Sequence, residues 1–176
     1  MKDLKAVIRT VPDFPKEGIN FFDITTLLSD PEALRDSVDA ICDHWRDRNV
    51  DVVAAVEARG FIFGACVAMK LGVAFVPMRK PGKLPYETTS ASYELEYGTD
   101  TIEMHVDAVK PGQRVLLIDD LLATGGTAAA ACKLIEQVQG EVVGCGFIIE
   151  LTFLPGRAKL AGRNVVALVD YASEEK

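Results

Sequence analysis

The sequence LLIDDLLATGGT, residues 116–127, begins as an apolar strand and ends in a glycine-rich turn. The paired carboxylates of Asp119 and Asp120 stand where the apolar run stops. Two adjacent glycines then let backbone N–H groups converge where the next helix is predicted to begin, and a helix N-terminus attracts anions. Residues 123–127, here called the phosphate loop, are therefore predicted to bind a phosphate group through Ala123, Thr124, Gly125, Gly126 and Thr127.

Asp119 and Asp120 are too close to a bound phosphate to be its ligands. They could instead accept hydrogen bonds from neighbouring hydroxyl groups or hold a hydrated Mg²⁺ ion. A sugar phosphate offers both a phosphate and vicinal hydroxyls, so it suits the whole stretch. The P-loop pattern GxxxxGK[ST] and the dinucleotide pattern GxGxxG are both absent from this stretch. The alternative is a glycine-rich turn beside two solvated aspartates.

Strand and helix patterns alternate around this stretch, which predicts an α/β fold. Apolar runs without strict alternation indicate strands buried on both faces, and strands alternating with helices indicate a parallel sheet flanked by helices. An N-terminal helix is also predicted from residue 4 to residue 11, and Ser29 with Glu32 resembles a capping box before another helix. The predicted strands are 52–56, 73–78, 115–118, 142–149 and 165–169, and the main helices are 60–71 and 131–138.

Residues 79–100 show no clear period and contain Pro81, Gly82 and Pro85. An irregular segment of this length inside a compact domain is often a lid or a binding loop. We therefore predict a flexible lid here, and the alternative is a two-stranded excursion without a functional role.

The composition predicts one domain over residues 1–176, because 49% of the residues are hydrophobic. A net charge of −7 argues against a nucleic-acid surface, and no apolar run is long enough to span a membrane. The mixed, charged N-terminus does not resemble a signal peptide. Four cysteines without a CxxC pair predict reduced thiols and a cytoplasmic protein, and isolated histidines predict no metal site; these residues are Cys42, Cys66, Cys132, Cys145, His44 and His105.

The sequence VLLIDDLLATGGT resembles the phosphoribosyl-diphosphate motif of the type I phosphoribosyltransferases. Further segments, in the same order, resemble the members of that family that use adenine, and together they cover most of the chain: FPKEGINFFDIT (14–25), VEARGFIFG (56–64), RKPGKLP (79–85) and ASYELEYG (91–98). The resemblance implies a single domain with a small N-terminal hood (residues 1–35) over the base and a flexible loop at 79–100. It also implies purine salvage, in which the phosphoribosyl group passes from 5-phosphoribosyl 1-diphosphate to adenine, giving AMP and diphosphate.

The resemblance also implies roles for individual residues. The phosphate loop would hold the ribose 5-phosphate, and Asp119 with Asp120 would hold the ribose hydroxyls. Glu96 would handle a proton near the base, as a carboxylate shielded by a closed loop can, and Tyr97 would support closure. The remaining assignments are Arg59, as a catalytic residue and for the diphosphate, Arg79, Lys80 and Lys83 for the diphosphate, and Asn20, Phe21 and Phe22 for the adenine pocket.

Several further properties follow from the resemblance. Mg²⁺ is expected to bind mainly through the substrate diphosphate, without a dedicated protein cage. A homodimer is expected, with basic loop residues near the neighbouring site. A non-proline cis peptide would fall near Glu57–Ala58. The chain departs from many relatives at Phe22, where they carry Arg, and from some at Glu57-Ala58, where they carry Asp-Ser.

Two other readings remain open. The protein could transfer the phosphoribosyl group to hypoxanthine, guanine or xanthine, because the phosphate motif does not distinguish the base. It could instead be a regulator that kept the fold as a ligand sensor, although 176 residues and a net charge of −7 leave little room for a DNA-binding segment.

Overall fold

The computed structural model describes residues 2–94 and 98–173. In chain order the elements are α1 (Leu4–Val7), β1 (Arg9–Val11), β2 (Phe21–Asp23), α2 (Thr25–Leu28), α3 (Pro31–Trp45), β3 (Val52–Val56), α4 (Arg59–Leu71), β4 (Ala74–Met78), β5 (Thr88–Glu94), β6 (Thr99–His105), β7 (Arg114–Leu122), α5 (Gly126–Gln137), β8 (Glu141–Leu151), α6 (Gly156–Lys159) and β9 (Val165–Tyr171).

A five-stranded parallel sheet in the order β4-β3-β7-β8-β9 forms the centre of the protein. The chain runs from β3 outward to β4 and then returns to the other side of β3 with β7. Strand order therefore reverses between β3 and β7, and open α/β sheets bind ligands at the carboxyl ends of the strands at such a point. The predicted α/β class and its parallel sheet are confirmed, and the topology places a crevice beside Asp119 and Asp120.

Helices cover both faces of the sheet, as predicted. On one face α3 and α4 enclose a core that includes Ile41, Trp45 and Phe63. On the other face α5 contributes Leu134 and Ile135 to a second core. All five residues are at most 1% exposed, so both faces of the sheet are shielded from water. This explains why the strands are continuous apolar runs in the sequence.

Three local predictions need correction. Asp30, not Ser29, caps α3: its side chain accepts hydrogen bonds from the backbone N–H groups of Glu32 and Ala33, because Pro31 occupies the first helical position. The N-terminal helix ends at Val7, since the next residues pair with β2 as strand β1. Strand β4 is an edge strand and only partly buried, because β3 is its one neighbour in the sheet.

Within the segment 79–100, residues 80–87 lie in no helix or strand, whereas residues 88–94 and 99–100 belong to a hairpin, as in the two-stranded alternative. Strand β5 pairs antiparallel with β6, from Thr88 opposite His105 to Glu94 opposite Thr99. Ala91, Ile102 and Met104 on these strands are buried in the core beside α5, so tertiary packing stabilises pairing that the sequence pattern did not reveal. Closure of this hairpin over a ligand stays a prediction.

The N-terminal segment forms a small separate layer. Strands β1 and β2 pair antiparallel outside the main sheet, with Arg9 opposite Asp23. The backbone and ammonium nitrogens of Lys2 contact carboxylates of Asp36 and Asp30, both at 2.5 Å, which fixes the segment against α3. Its function as a hood over the base remains a prediction. None of the helices in the described ranges has the length and apolar character needed to cross a membrane.

Candidate functional site

A cavity of about 420 Å³ lies at the carboxyl ends of β3 and β7, where the strand order reverses. It brings together predicted site residues from three separate parts of the sequence: the start of α4, the start of the 79–100 segment, and the end of β7 with the loop that follows it. The polar and loop residues that line it are Glu57, Arg59, Lys80, Tyr93, Asp119, Asp120, Ala123, Thr124, Gly125 and Thr127.

The phosphate loop joins β7 to α5 and ends at the start of that helix. Gly125 takes the left-handed conformation, with φ of 77°, at the N-cap position of α5. No side chain of the described residues caps the helix, and its first intrahelical bond at this point runs from Ala129 N to Gly125 O at 3.0 Å. The preceding N–H groups are therefore available to an anion, in the positive field of the helix terminus. This geometry suits an anion, and binding of a phosphate by the loop stays a prediction.

A second glycine, Gly156, was not predicted from the sequence to belong to the site, and it packs against this loop. The backbone of Gly156, at the start of α6, packs directly against the phosphate loop. A Cβ atom at residue 156 would lie 2.2 Å from the carbonyl oxygen of Ala123, and one at residue 125 would lie 2.5 Å from the carbonyl oxygen of Gly156. The only sequence signal for this contact is a glycine after Pro155. That signal does not predict that Gly156 packs against the phosphate loop.

The two carboxylates lie within β7 and not beyond its end, because the strand continues to Leu122 through pairing with β8. Pairing with β3 stops at Ile118, so both aspartates stand beside the crevice. Asp120 is 6% exposed, and its Oδ2 contacts Arg59 Nε at 2.5 Å. Asp119 Oδ1 accepts a hydrogen bond from the backbone N–H of Asp120 at 2.9 Å.

The surroundings of Asp119 disfavour the ionised form of its carboxyl group. Burial and, after it, the neighbouring charge of Asp120 raise the pKa of Asp119 well above the ordinary aspartate value. Asp119 is half-buried, and the close packing of Gly60 shields its carboxyl group from water, since a Cβ at residue 60 would lie 2.6 Å from Asp119 Oδ1. The carboxyl group is thus poised for partners that would stabilise its charge, such as the hydroxyl groups of a sugar.

Asp119→Asn is therefore expected to stabilise the ligand-free protein. Because the folded-state pKa is raised, the ionised group destabilises the fold once the pH passes the unfolded-state pKa, and the full penalty applies above the folded-state value. We expect the free energy of unfolding to rise by about 1 kcal/mol, the usual scale of coupling between neighbouring groups. Urea unfolding at pH 5 and pH 8 should show the larger gain at pH 8. An equal or smaller gain at pH 8 would contradict the argument.

The basic residues divide into two groups. Arg59 and Lys80 line the cavity, and Lys80 Nζ forms an ion pair with Asp100, which also accepts a hydrogen bond from the Tyr93 hydroxyl at 3.1 Å. The Lys80 ammonium lowers the pKa of Asp100, so this contact is ionic at neutral pH. Neither Arg79 nor Lys83 is among the described residues that line the cavity. Within one chain, these two side chains are therefore not placed to contact a diphosphate in the cavity.

Arg79 is instead tied to the turn after β3. Its Nε and Nη2 atoms donate to Glu57 Oε2 at 3.0 and 2.8 Å, and the backbone N–H of Lys80 donates to Glu57 Oε1 at 2.6 Å. Although burial opposes ionisation, these hydrogen bonds lower the pKa of Glu57. The Glu57–Ala58 peptide bond is cis, as the resemblance implied. Glu57 thus links the turn before α4 to the basic segment.

The three residues expected in the adenine pocket occupy different environments. The Phe21 ring lies 5.6 Å from the guanidinium of Arg59, which lines the cavity, although Phe21 itself is not among the described residues that line it. The Phe22 ring stacks on Tyr171 at 3.8 Å between centroids, and alternation along β2 directs it away from Phe21. Tyr171 covers one face of the Phe22 ring, and a contact between Phe22 and the base stays a prediction. Asn20 does not line the cavity that the described residues form.

Glu96 and Tyr97, to which proton handling and loop closure were assigned, lie outside the described residues. Within the described ranges, no group of three or more His, Cys, Asp or Glu side chains is arranged to hold a metal ion. Of the described carboxylates that line the cavity, Asp120 is paired with Arg59 and Glu57 with Arg79.

The cavity joins a glycine-rich loop, carboxylates and cations at a topological switch point, and the chain that forms it matches a known family. Residues 23–166 match the model of the phosphoribosyl transferase domain. This match covers most of the chain, and the protein therefore belongs to the phosphoribosyltransferase family.

The similar proteins within that family share one name. The chain is 61% identical to an adenine phosphoribosyltransferase of Clostridium perfringens, over 96% of this chain and 98% of that one. A crystal structure of adenine phosphoribosyltransferase from Thermoanaerobacter pseudethanolicus superposes with a TM-score of 0.93 at 54% identity, covering 96% and 98% of the two chains. The Saccharomyces cerevisiae enzyme, solved with adenine and an imino-altritol bisphosphate, gives 0.90 at 40% identity, covering 94% and 96%. The expected type I phosphoribosyltransferase fold is confirmed.

Proposed function

We propose that this protein transfers the phosphoribosyl group of 5-phosphoribosyl 1-diphosphate to adenine, giving AMP and diphosphate in purine salvage. One observation carries the proposal: a single cavity is lined by four of the five phosphate-loop residues (all but Gly126), both aspartates, Arg59 and Lys80. The names of the relatives and the adenine bound in the yeast structure support the choice of base.

Different residues of the cavity would bind different groups of the substrate. The N–H groups and hydroxyls of the phosphate loop would hold the 5-phosphate, and the aspartates would accept hydrogen bonds from the ribose hydroxyls. The transition state resembles an oxocarbenium ion, as in glycoside cleavage, so the leaving diphosphate must be stabilised. Arg59 and Lys80 are the described cations that line the cavity, and they would neutralise the charge that develops there.

Adenine would enter beside Phe21 and Arg59, at the side of the cavity that faces β2. We assign base contact to Phe21 first and treat Asn20 as its neighbour in the same segment. Glu96 would accept the proton that leaves N9 of adenine, shielded from water by the closed hairpin, and Tyr97 would support that closure. Arg79 and Lys83 would contact a diphosphate only across a subunit interface.

Mg²⁺ is proposed to accompany the diphosphate. Two of the carboxylates that line the cavity are already in ion pairs, Asp120 with Arg59 and Glu57 with Arg79, which fits an ion held mainly by substrate oxygens and water. When bound, the ion would neutralise charge on the leaving group. A cytoplasmic location is also proposed, because Cys132 and Cys145 are free thiols with sulfurs 3.7 Å apart, as suits a reducing compartment.

A homodimer is proposed from the outer face of α4. Ile62 and Met69 on this helix are 39% and 83% exposed, and an apolar groove of about 440 Å³ runs between α3 and α4 beside Leu34 and Cys66. Exposed apolar surface of this kind marks association sites. Because α4 begins at Arg59, a second copy on this face would lie near the cavity.

Ile62→Glu is expected to dissociate the dimer, because it would bury an unpaired charge in the interface. We expect light scattering to show a mass about half that of the wild type, with activity reduced at least about tenfold if basic residues are shared between subunits. Val106→Glu is the matched control, since Val106 is also 39% exposed but lies outside α4. A wild-type mass for Ile62→Glu would refute the interface, and a fully active monomer would refute residue sharing.

The proposed function is tested by offering adenine, hypoxanthine, guanine and xanthine separately with phosphoribosyl diphosphate and Mg²⁺. Nucleotide formed from adenine alone is the expected result. Product from a 6-oxopurine would keep the phosphate site and overturn the base assignment. Tight ligand binding without product from any base would favour the regulator over the enzyme.

A further inference from the structure

A buried carboxylate lies outside the cavity and requires an explanation. Among the described residues, the buried polar or charged side chains are those of Ser37, Asp120 and Glu150. The Ser37 hydroxyl donates to the carbonyl oxygen of Leu34 within α3, and Asp120 belongs to the cavity. Glu150, 4% exposed on β8, has no part in the reaction described above. Buried ion pairs contribute little net stability, so their retention points to a positional role.

Glu150 is held by one arginine in a two-pronged contact. Arg157 Nε donates to Glu150 Oε1 at 2.8 Å, and Arg157 Nη2 donates to Glu150 Oε2. Arg157 Nη1 also donates to the carbonyl oxygen of Val165 at 3.1 Å. One guanidinium group therefore ties α6 both to β8 and to the start of β9. The planar fork of arginine fixes direction as well as distance, which a lysine ammonium does not.

The residue before Arg157 is Gly156, whose backbone supports the phosphate loop. Its packing leaves no room for a Cβ, which would lie 2.2 Å from the Ala123 carbonyl oxygen. Glu150 is also in register with Leu122, the last residue before the loop. The loop thus begins beside Glu150 along the sheet and rests on the helix that Glu150 holds through Arg157.

We propose that Glu150 and Arg157 are positioning residues that fix α6 behind the phosphate loop and so set the loop geometry for the sugar 5-phosphate. The proposal rests on the proposed function for the identity of the ligand. Loss of the ion pair frees α6 to shift, and the loop then loses its rigid support. Contacts with the 5-phosphate weaken, while contacts with the base, on the far side of the cavity, do not.

The test compares two isosteric substitutions on the same strand. Glu150→Gln removes the buried carboxylate, and Arg157 is 52% exposed on its side chain, so its charge can be solvated and the variant can fold. Glu141→Gln is the matched control, because Glu141 forms an exposed ion pair with Arg114 at the opposite end of β8. Steady-state kinetics with each substrate varied in turn and thermal melting are recorded for both proteins.

We expect Glu150→Gln to raise the KM for phosphoribosyl diphosphate by about tenfold or more, the scale of a small misplacement of a binding group. The KM for adenine should stay within about twofold of the wild type, and Glu141→Gln should change neither value. Arg157→Lys, which keeps the charge but loses the fork, should give an intermediate rise. An unchanged KM for the sugar diphosphate, or equal losses for both substrates that track a lower melting temperature, would overturn the proposal.

Calorimetric titration with ribose 5-phosphate separates this proposal from the proposed function. Weaker ribose 5-phosphate binding by Glu150→Gln and Arg157→Lys than by the wild type supports the positioning role, even if the wild type transfers no group to any base. Equal affinity in all three proteins overturns the positioning role, even if the wild type makes AMP.

Discussion

Replacing both aspartates, in the variant Asp119→Asn/Asp120→Asn, is expected to lower kcat/KM for phosphoribosyl diphosphate by about 10³-fold. Each carboxylate can accept a charge-assisted hydrogen bond from a ribose hydroxyl, and such bonds contribute about 1.5–3 kcal/mol. Asp120 also orients Arg59 through the contact at 2.5 Å. Loss of the Asp120 carboxylate should therefore also disturb Arg59, the cation that is proposed to bind the diphosphate. Adenine binding should change much less, because the carboxylates are proposed to bind the ribose hydroxyls and not the base.

The control for the loss of two negative charges is Asp43→Asn/Asp47→Asn. Both residues are exposed near the end of α3, and the substitution changes the net charge by the same amount. This variant should keep wild-type kinetics. Steady-state assays with each substrate varied decide the matter: wild-type kcat/KM in the first double variant would remove the aspartates from sugar binding. A loss of equal size for both substrates would assign them a structural role.

Gly125→Ala is expected to be the most damaging single substitution in the phosphate loop. Residue 125 has a φ of 77°, which non-glycine residues adopt at a cost of about 1 kcal/mol. The added Cβ would also lie 2.5 Å from the carbonyl oxygen and 2.9 Å from the Cα atom of Gly156, so the loop or α6 must move. We expect kcat/KM for phosphoribosyl diphosphate to fall by about 10²-fold or more, since small misplacements have effects of that size.

The control variant Gly112→Ala separates the effect of the positive φ from the effect of the collision with Gly156. Gly112 has nearly the same φ, 79°, but a Cβ there would meet no atom within 4 Å. It therefore carries the conformational cost without the collision. The control should lower the melting temperature slightly and leave the kinetics unchanged. If both variants lose activity equally, backbone strain alone accounts for the effect and contact with Gly156 is not required.

Local patterns were sufficient to predict the sheet and the phosphate loop. The apolar runs at 52–56 and 115–118 mark buried strands because both faces of the sheet are covered. Adjacent glycines before a helical stripe mark the anion site because few other residues permit that turn. The pairing of Asp119 and Asp120 pointed to sugar hydroxyls, and the structure places both in one cavity with the loop.

Features that depend on distant partners were not predicted. The stack of Phe22 on Tyr171 joins β2 to the last strand, and nothing near Phe22 in sequence indicates it. The contact between Gly125 and Gly156 is equally long-range. The hairpin of β5 and β6 was predicted only as the alternative to a flexible lid, because its apolar positions are buried only where α5 covers them. Ser29 was mistaken for a cap because Asp30 has the same local chemistry.

The parts of the cavity come from positions as far apart as Glu57 and Ala128, and its support extends to Gly156. A growing chain therefore holds no usable fragment of the site until β8 and α6 have been added. Binding of a sugar phosphate consequently reports that nearly the whole domain has assembled. A ligand that binds only this assembled state protects it by mass action. Substrate supply in the cell would thus also govern how long each molecule survives degradation, so abundance and activity would respond together.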